Sequence, residues 1–215
     1  MITVWGRKSS SNVQAVLWCL AELDVAHERI DAGFTYGVVD TPEYRAMNPT
    51  GKVPTIRDGD GTTLFESGAI LRYLAARHAP DTFWPADPAA RAGIDQWAEW
   101  AKQNVAQGFT GPVFWPAVRV PLERRDPEAI AAAVRRLDEQ VLAIADARLA
   151  RHAFLAGESF TLADVQLGHV LYRYFELDIE RAELPHLRRY YDALAARPAY
   201  REHVMVSYAE LADSM

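Results

Sequence analysis

The sequence of 215 residues contains a single cysteine, Cys19, which excludes an internal disulfide framework and any cysteine-rich zinc site. It also lacks an excess of basic residues, because 23 Lys and Arg stand against 29 Asp and Glu, a formal net charge of −6. A surface that neutralises nucleic-acid phosphates needs clustered basic side chains, and the sequence shows no such cluster. These shortages argue against a disulfide scaffold, a cysteine-rich zinc site and a nucleic-acid partner.

Long apolar runs are missing as well. The longest stretch without a charged residue, 103–118, is interrupted by Asn104, Gly108, Gly111, Pro112 and Pro116, so it does not predict a membrane-spanning helix. At the N-terminus the apolar run precedes the basic pair Arg7–Lys8, the reverse of the order in a secretory signal. We therefore expect a cytoplasmic protein with no membrane partner.

The composition changes near residue 80. Before it, short β-rich runs alternate with helical patterns; after it, Ala, Leu and Arg dominate. Three prolines between residues 80 and 88 forbid a continuous helix or a central strand, so this segment is interpreted as a linker. The sequence thus predicts an α/β domain over residues 1–79 and an all-helical domain over residues 89–215.

Residue patterns predict the elements of the first domain. Apolar and polar periodicity indicates strands at 2–5, 27–30, 54–57 and 62–65, and helices at 12–23 and 67–78. The run Asp58-Gly59-Asp60-Gly61 predicts a hairpin turn between the last two strands, because glycine accepts a positive φ. The expected result is a small mixed sheet with helices on its faces.

In the second domain, the helix that starts near Ala89 is expected to bend or break within 108–121, where Gly and Pro accumulate. Thr161 and Asp164 are spaced as a capping box, and the helix that they open is apolar all round, which predicts a central, buried helix. Short final helices are expected at 186–196 and 199–212.

Three segments of the first domain could carry chemistry. Ser9-Ser10-Ser11-Asn12 joins a strand to a helix, where it is either an ordinary N-cap or a set of donors for an anion. Glu66-Ser67-Gly68 stands at a second such junction, with the same two interpretations. The Val53–Pro54 bond, if cis, would leave the Val53 backbone free to pair with an extended ligand; otherwise Pro54 is an ordinary proline at the start of an edge strand.

Taken together, these motifs resemble those of the cytosolic glutathione transferase family, in particular its bacterial theta-like or Nu-like members. The resemblance covers essentially the whole chain. It rests on the serine-rich junction, the proline linker and three further motifs: Asn48-Pro49-x-Gly51-Lys52-Val53-Pro54, Glu66-Ser67-x-Ala69-Ile70 and Phe160-Thr161-Leu162-Ala163-Asp164. It implies a thioredoxin-like first domain with a cis-proline at Pro54, a helical-bundle second domain, a homodimer, and glutathione as co-substrate without a metal or redox cofactor.

The resemblance also implies roles for individual residues. Val53, beside Pro54, would hold the cysteinyl backbone of glutathione, Glu66 and Ser67 its γ-glutamyl end, and Lys52 its glycyl carboxylate. Ser10 aligns best with the hydroxyl that stabilises the thiolate; Asn12 is the second choice, and Ser11 stays open because three serines are consecutive. Trp5 takes the place of the tyrosine of tyrosine-type classes, and the serine segment has no cysteine, which argues against the deglutathionylating classes.

The expected activity is attack of the glutathione thiolate on a hydrophobic electrophile. The family's electrophile-facing helix corresponds to the region of Phe109, Phe114, Trp115 and Arg119, although helix packing explains these residues equally well. Two other functions remain open: reduction of disulfides or organic peroxides with the same thiol, and a non-catalytic interaction module. Elsewhere, Cys19 is interpreted as a small buried hydrophobic residue and His169 as a capping or core residue.

Overall fold

The structure is a computed structural model that describes all 215 residues. Its first domain contains a four-stranded sheet. The strands are β1 (Ile2–Trp5), β2 (His27–Ile30), β3 (Thr55–Arg57) and β4 (Thr63–Phe65), in the spatial order β2-β1-β3-β4. β1 runs parallel to β2 and antiparallel to β3, and β3 and β4 form the predicted hairpin. The predicted small mixed sheet is therefore confirmed.

Three helices complete the first domain: α1 (Ser11–Glu22), α2 (Pro42–Met47) and α3 (Ser67–His78). α1 is covered on both sides, because its apolar stripe packs against the sheet and α3 while Trp18 points the other way and is also buried. The ring of Trp18 lies 5.5 Å from that of Phe160 and 4.8 Å from that of Tyr200, both in the second domain. Gly168 permits this approach, since a Cβ there would come within 2.8 Å of the Trp18 ring.

The second domain opens with α4 (Pro88–Trp100), and its helical backbone continues into the region where a bend or break was predicted. Helical backbone continues through a wide π-helical segment (Ala101–Ala106), one α-helical turn, α5 (Gln107–Phe109), and a second π-helical segment (Thr110–Arg119). The helical backbone is thus continuous as far as Arg119. Pro112 and Pro116 are tolerated because these wide turns have already given up the regular i→i−4 bonding that proline disrupts.

The remaining helices are α6 (Pro127–Leu137), α7 (Ala143–Leu149), α8 (Leu162–Glu176), α9 (Pro185–Ala195) and α10 (Pro198–His203). α8 is the central, buried helix, and the predicted capping box is present at its start. The Asp164 carboxylate accepts from the backbone N–H of Thr161 at 2.8 Å. Both expectations for this helix are confirmed.

The last predicted helix, 199–212, is wrong beyond His203. The chain then extends, with a single 3₁₀ turn at Ala209–Leu211, and its backbone bonds to another segment. The N–H of Asp213 donates to the carbonyl of Val118, and that of Met215 donates to the carbonyl of Arg119. The C-terminal tail therefore forms backbone hydrogen bonds with the end of the second π-helical segment instead of continuing as a helix.

One apolar core runs through both domains, with α1 packed against α8 and α10. Cys19 belongs to this core, as predicted, and burial raises the pKa of its thiol. None of the helices combines the length and the apolar character needed to cross a membrane.

Candidate functional site

A cavity of about 460 Å³ lies in the cleft between the two domains, and we call it the first cavity. The first domain contributes side chains and backbone from the starts of α1 and α3 and from the segment before β3: Ser11, Asn12, Asn48, Thr50, Lys52, Val53, Pro54, Glu66 and Ser67. The second domain contributes the π-helical segments and α8: Lys102, Ala106, Gln107, Thr110, Gly111, Trp115 and His169. All the residues predicted to bind glutathione therefore face one space.

A second cavity, of about 420 Å³, adjoins the first and shares part of its wall. Six residues line both cavities: Ser11, Asn12, Lys52, Val53, Thr110 and Trp115. The second cavity is more apolar, since it adds Phe34, Val39, Phe114 and Leu211. The start of α1 thus lines both cavities, of which the second has more apolar side chains in its wall.

The backbone of Val53 has two polar groups without partners in the protein. The Val53–Pro54 bond is cis, and neither the N–H nor the carbonyl of Val53 makes a hydrogen bond within the protein. The preceding carbonyl, that of Lys52, accepts from the hydroxyl of Tyr44 at 2.7 Å and from Nδ2 of Asn48 at 2.8 Å. These two hydrogen bonds hold the segment in place. The N–H and the carbonyl of Val53 remain unpaired at the wall of the first cavity.

The start of α3 presents a second polar edge. Glu66 has φ of +67°, in the left-handed region that a glutamate seldom adopts, and Ser67 begins the helix immediately after it. Backbone N–H groups at a helix start have no partner within the helix and favour an anion. Glu66 therefore places a carboxylate beside backbone N–H groups that favour an anion, and both Glu66 and Ser67 line the first cavity.

The three consecutive serines occupy different surroundings. The Ser9 hydroxyl accepts from Nε of Arg7 at 3.1 Å and also bonds to the Glu210 carboxylate, so it is already engaged. Ser10 is the N-cap of α1, but its hydroxyl makes no hydrogen bond, and it lines only the second cavity. The Ser11 hydroxyl is likewise unbonded and lines both cavities. Of the three serines, Ser10 and Ser11 thus have hydroxyls that are available to a ligand.

Lys102, which the sequence analysis did not single out, reaches the start of α1 from the second domain. Its Nζ donates to Oδ1 of Asn12 at 2.6 Å and to Oγ of Ser67 at 3.0 Å. Helical spacing could have indicated Lys102, because residues 102, 106 and 110 are four positions apart, as on one face of a helix. All three line the first cavity. That signal was lost because the glycines and prolines that follow predicted a break.

Burial lowers the pKa values of two side chains that the second domain contributes to the first cavity, those of Lys102 and His169. It lowers the pKa of the Lys102 ammonium, although the Glu66 and Glu99 carboxylates oppose that shift. Burial, with a contribution from the Lys102 charge, lowers the pKa of His169 to about 3. His169 is a buried residue, in agreement with its interpretation as a core residue, but it also lines the first cavity, and its Nδ1 has no partner. At neutral pH it is an uncharged neighbour of Lys102. 

The residues predicted to face the electrophile divide into two groups. Phe114, Trp115 and Arg119 line the second cavity, with the Arg119 guanidinium 5.6 Å from the centre of the Trp115 ring. Phe109 lines neither cavity, which agrees with helix packing, the other interpretation offered for it. Its ring is 1% exposed and packs against those of Phe114 and Tyr174.

Comparison with known proteins agrees with this geometry. Residues 9–77 match the family model described as glutathione S-transferase, N-terminal domain, and residues 105–198 match the corresponding C-terminal domain. The chain is 38% identical to glutathione S-transferase GstB of Escherichia coli (strain K12), over 96% of this chain and 99% of that protein. It is 35% identical to glutathione S-transferase 3 of Zea mays, over 94% and 93% of the two chains.

A solved structure shows the same fold. The theta class glutathione S-transferase from the citrus canker pathogen Xanthomonas axonopodis pv. citri, with glutathione bound, superposes with a TM-score of 0.89. The two sequences are 47% identical over 96% of this chain and 98% of that one. The resemblance inferred from the motifs is confirmed, and so is the thioredoxin-like domain followed by a helical domain. The chain belongs to the glutathione S-transferase family.

Proposed function

We propose that this glutathione transferase binds glutathione in the first cavity and ionises its thiol where the two cavities meet. It then delivers the sulfur to a hydrophobic electrophile in the second cavity. The observation that carries the proposal is the junction itself: Ser11 and Asn12, at the positive end of α1, line both cavities. Residues 1–79 would then supply the glutathione site, and residues 89–215 most of the electrophile site.

Each end of glutathione has a chemical counterpart in the first cavity. The unpaired N–H and carbonyl of Val53 would pair with the cysteinyl backbone beside the cis Pro54, as one strand pairs with another. Glu66 would accept the γ-glutamyl ammonium, and Ser67 with its backbone N–H would hold the γ-glutamyl carboxylate. Lys52 would attract the glycyl carboxylate from the opposite end.

The thiol needs help to ionise, because a free thiol has a pKa of about 8.5 and is only a few per cent thiolate at neutral pH. Lowering that pKa by about two units requires roughly 2.7 kcal/mol of preferential thiolate stabilisation. A hydroxyl from Ser10 or Ser11, the Asn12 amide and the start of α1 would supply it together. The proton passes to water, and the thiolate forms a bond to the electrophilic carbon while the leaving group departs with its electron pair.

The remaining features follow the family. Glutathione is the co-substrate, and no resident cofactor is required by this chemistry, since the residues described above supply every donor and charge it uses. We further propose a homodimer in the cytoplasm. Sedimentation equilibrium of the purified protein tests the dimer, and a single species at monomer mass would contradict it.

The test of the proposed function is product analysis. The purified protein is mixed with glutathione and an aromatic halide, and separately with glutathione and an organic hydroperoxide. A thioether conjugate with release of halide is the expected product. Oxidised glutathione from the hydroperoxide, without any conjugate, would instead indicate a reductase. Binding of glutathione without either product would indicate a non-catalytic module.

A further inference from the structure

Side chains from three separate elements meet at the floor of the first cavity. Lys102 comes from the first π-helical segment, Asn12 from the first turn of α1 and Ser67 from the first turn of α3. Nζ of Lys102 lies 2.6 Å from Oδ1 of Asn12 and 3.0 Å from Oγ of Ser67, and the Ser67 hydroxyl donates to the same Asn12 oxygen at 3.3 Å. A lysine of the helical domain thus donates hydrogen bonds to the first turns of both α1 and α3.

The chemistry of the lysine decides which way the Asn12 amide points. A lysine ammonium carries three donors and no acceptor, so the Asn12 atom that faces it must be the oxygen. The amide nitrogen of Asn12 is then the outer atom, and it makes no hydrogen bond within the protein. Because Asn12 lines both cavities, its two N–H groups are free for a ligand at the junction.

We propose that Lys102 is a positioning residue for the sulfur of glutathione: it holds the Asn12 oxygen and so turns the Asn12 N–H groups toward the thiolate. The proposal rests on the proposed function, since it requires the glutathione sulfur beside Asn12. The positive charge of Lys102 acts in the same direction as the amide, because a nearby cation favours the ionised thiol.

The other charged groups around Lys102 are consistent with this role. Glu66 and Glu99 favour its protonated form against the effect of burial. His169, packed against the same space from α8, is uncharged at neutral pH. Lys102 is therefore the cation that contacts the Asn12 side chain, whereas Lys52, the other lysine of the cavity wall, makes no contact with it.

The experiment is an ultraviolet titration of the thiol of glutathione bound to the full-length protein, with binding measured separately by calorimetry. In Lys102→Met we expect the pKa of the bound thiol to rise by about one unit, a tenfold loss of thiolate below that pKa. The dissociation constant of glutathione should change less than about threefold. Lys102→Arg retains a cationic donor and should recover at least half of the shift. Lys102→Ala, a good helix former, repeats the measurement should the methionine variant fold poorly.

A double-mutant cycle with Asn12→Ala separates positioning from a direct effect. If Lys102 acts through Asn12, Lys102→Met should shift the thiol pKa much less in the Asn12→Ala background than in the wild type. Lys52→Met is the matched control for loss of a cavity ammonium, and it should weaken binding of glutathione without the same shift in thiol pKa.

Two results would overturn the proposal. One is an unchanged thiol pKa in Lys102→Met together with weaker binding, which would make Lys102 a ligand for a glutathione carboxylate. The other is an equal shift in both backgrounds of the cycle, which would leave no role for Asn12. Failure of the proposed function looks different, since the wild-type protein itself would then bind no glutathione or leave its thiol un-ionised.

Discussion

Nη2 of Arg173 lies 2.5 Å from the backbone carbonyl oxygen of Ser9 and donates a hydrogen bond to it. Arg173 belongs to the buried helix α8, where burial lowers the pKa of its guanidinium to about 10. The cation lies 4.7 Å from the centre of the Phe114 ring and 5.7 Å from that of Tyr208. The central helix of the second domain therefore fixes the residue immediately before the N-cap of α1, and with it the serines that follow.

The first prediction concerns the hydroxyl that faces the sulfur. Ser10→Ala is expected to raise the pKa of the bound thiol by about one unit, because the thiolate loses a hydrogen bond that the thiol does not need. Activity rises with pH as the thiol ionises, so the pH–rate profile should move about one unit toward alkaline pH. Binding of glutathione should be nearly unchanged, as measured by calorimetry.

Ser11→Ala is the matched variant, because both hydroxyls are unbonded and adjacent to the same helix start. If the titration shifts in Ser11→Ala and not in Ser10→Ala, then Ser11 faces the sulfur and the assignment of Ser10 is wrong. A shift in neither variant would leave the thiolate to Asn12 and the start of α1.

The second prediction concerns Glu66. Glu66→Ala should weaken glutathione binding by tenfold or more, whereas turnover at saturating glutathione should fall much less. The reason is that an ion pair with the γ-glutamyl ammonium exists before and during the reaction, and so contributes equally to both states. Calorimetry gives the affinity, and initial rates give turnover and the Michaelis constant.

Glu99→Gln provides the control, since Glu99 also influences the charge of Lys102 but does not line the first cavity. It should leave the affinity for glutathione within about threefold of wild type. Equal affinities for wild type and Glu66→Ala would contradict the assignment of Glu66.

The sequence predicted the elements of the first domain in detail because their signals are local. The α3 helix was placed at its observed bounds, 67–78, since a period of apolar residues and the following Pro80 lie within a short segment. The cis Val53–Pro54 bond was implied by the family resemblance, because the residues alone left both isomers open.

The second half was harder to predict because its features depend on distant contacts. Helical spacing can place Lys102 on the face of the first cavity, but its contact with Asn12 joins residues 90 positions apart, and no local pattern encodes that contact. Phe109 was expected at the electrophile site through the family resemblance, whereas its packing against Phe114 and Tyr174 is a tertiary contact that no sequence pattern shows. The sequence of the C-terminal tail has a helical pattern, but its backbone donates hydrogen bonds to the carbonyls of Val118 and Arg119 instead of forming a helix.

The third prediction compares a residue that lines the second cavity with one that belongs to the core. Trp115 is 42% exposed and lines the second cavity, so Trp115→Ala should lower kcat/KM for an aromatic electrophile by about tenfold through lost apolar contact. The effect on glutathione affinity should be smaller. Initial rates with each substrate varied in turn give both quantities.

Phe109→Leu is the contrasting variant, since Phe109 is buried and lines neither cavity. It should lower the unfolding free energy by about 1 kcal/mol, measured by urea denaturation, and leave the ratio of kcat/KM between two electrophiles unchanged. A change in that ratio in Phe109→Leu would show that the ring acts on the substrate cavity after all.

The fourth prediction concerns Asp164, whose carboxylate accepts from the backbone N–H groups of Leu155 and Thr161 and from the Tyr190 hydroxyl. Asp164→Ala leaves these buried donors without an acceptor and should lower the unfolding free energy by at least about 3 kcal/mol. Asp126→Ala is the control, because Asp126 caps α6 at the surface, and loss of an exposed cap costs about 1 kcal/mol. Similar losses in the two variants would contradict the central role of the buried cap.

The same carboxylate gives stability a defined dependence on pH. Burial raises the pKa of Asp164 from 3.8 to about 6, so between these values the native protein holds a proton that the unfolded chain has released. The contribution of Asp164 to the unfolding free energy therefore falls by about 3 kcal/mol as the pH rises through this window. Because Asp164→Ala lacks the group, its deficit relative to wild type should be largest near pH 4 and should shrink toward pH 6. Urea denaturation across this range measures the deficit, and a deficit that grows with pH would mean that the donors around the carboxylate outweigh its burial.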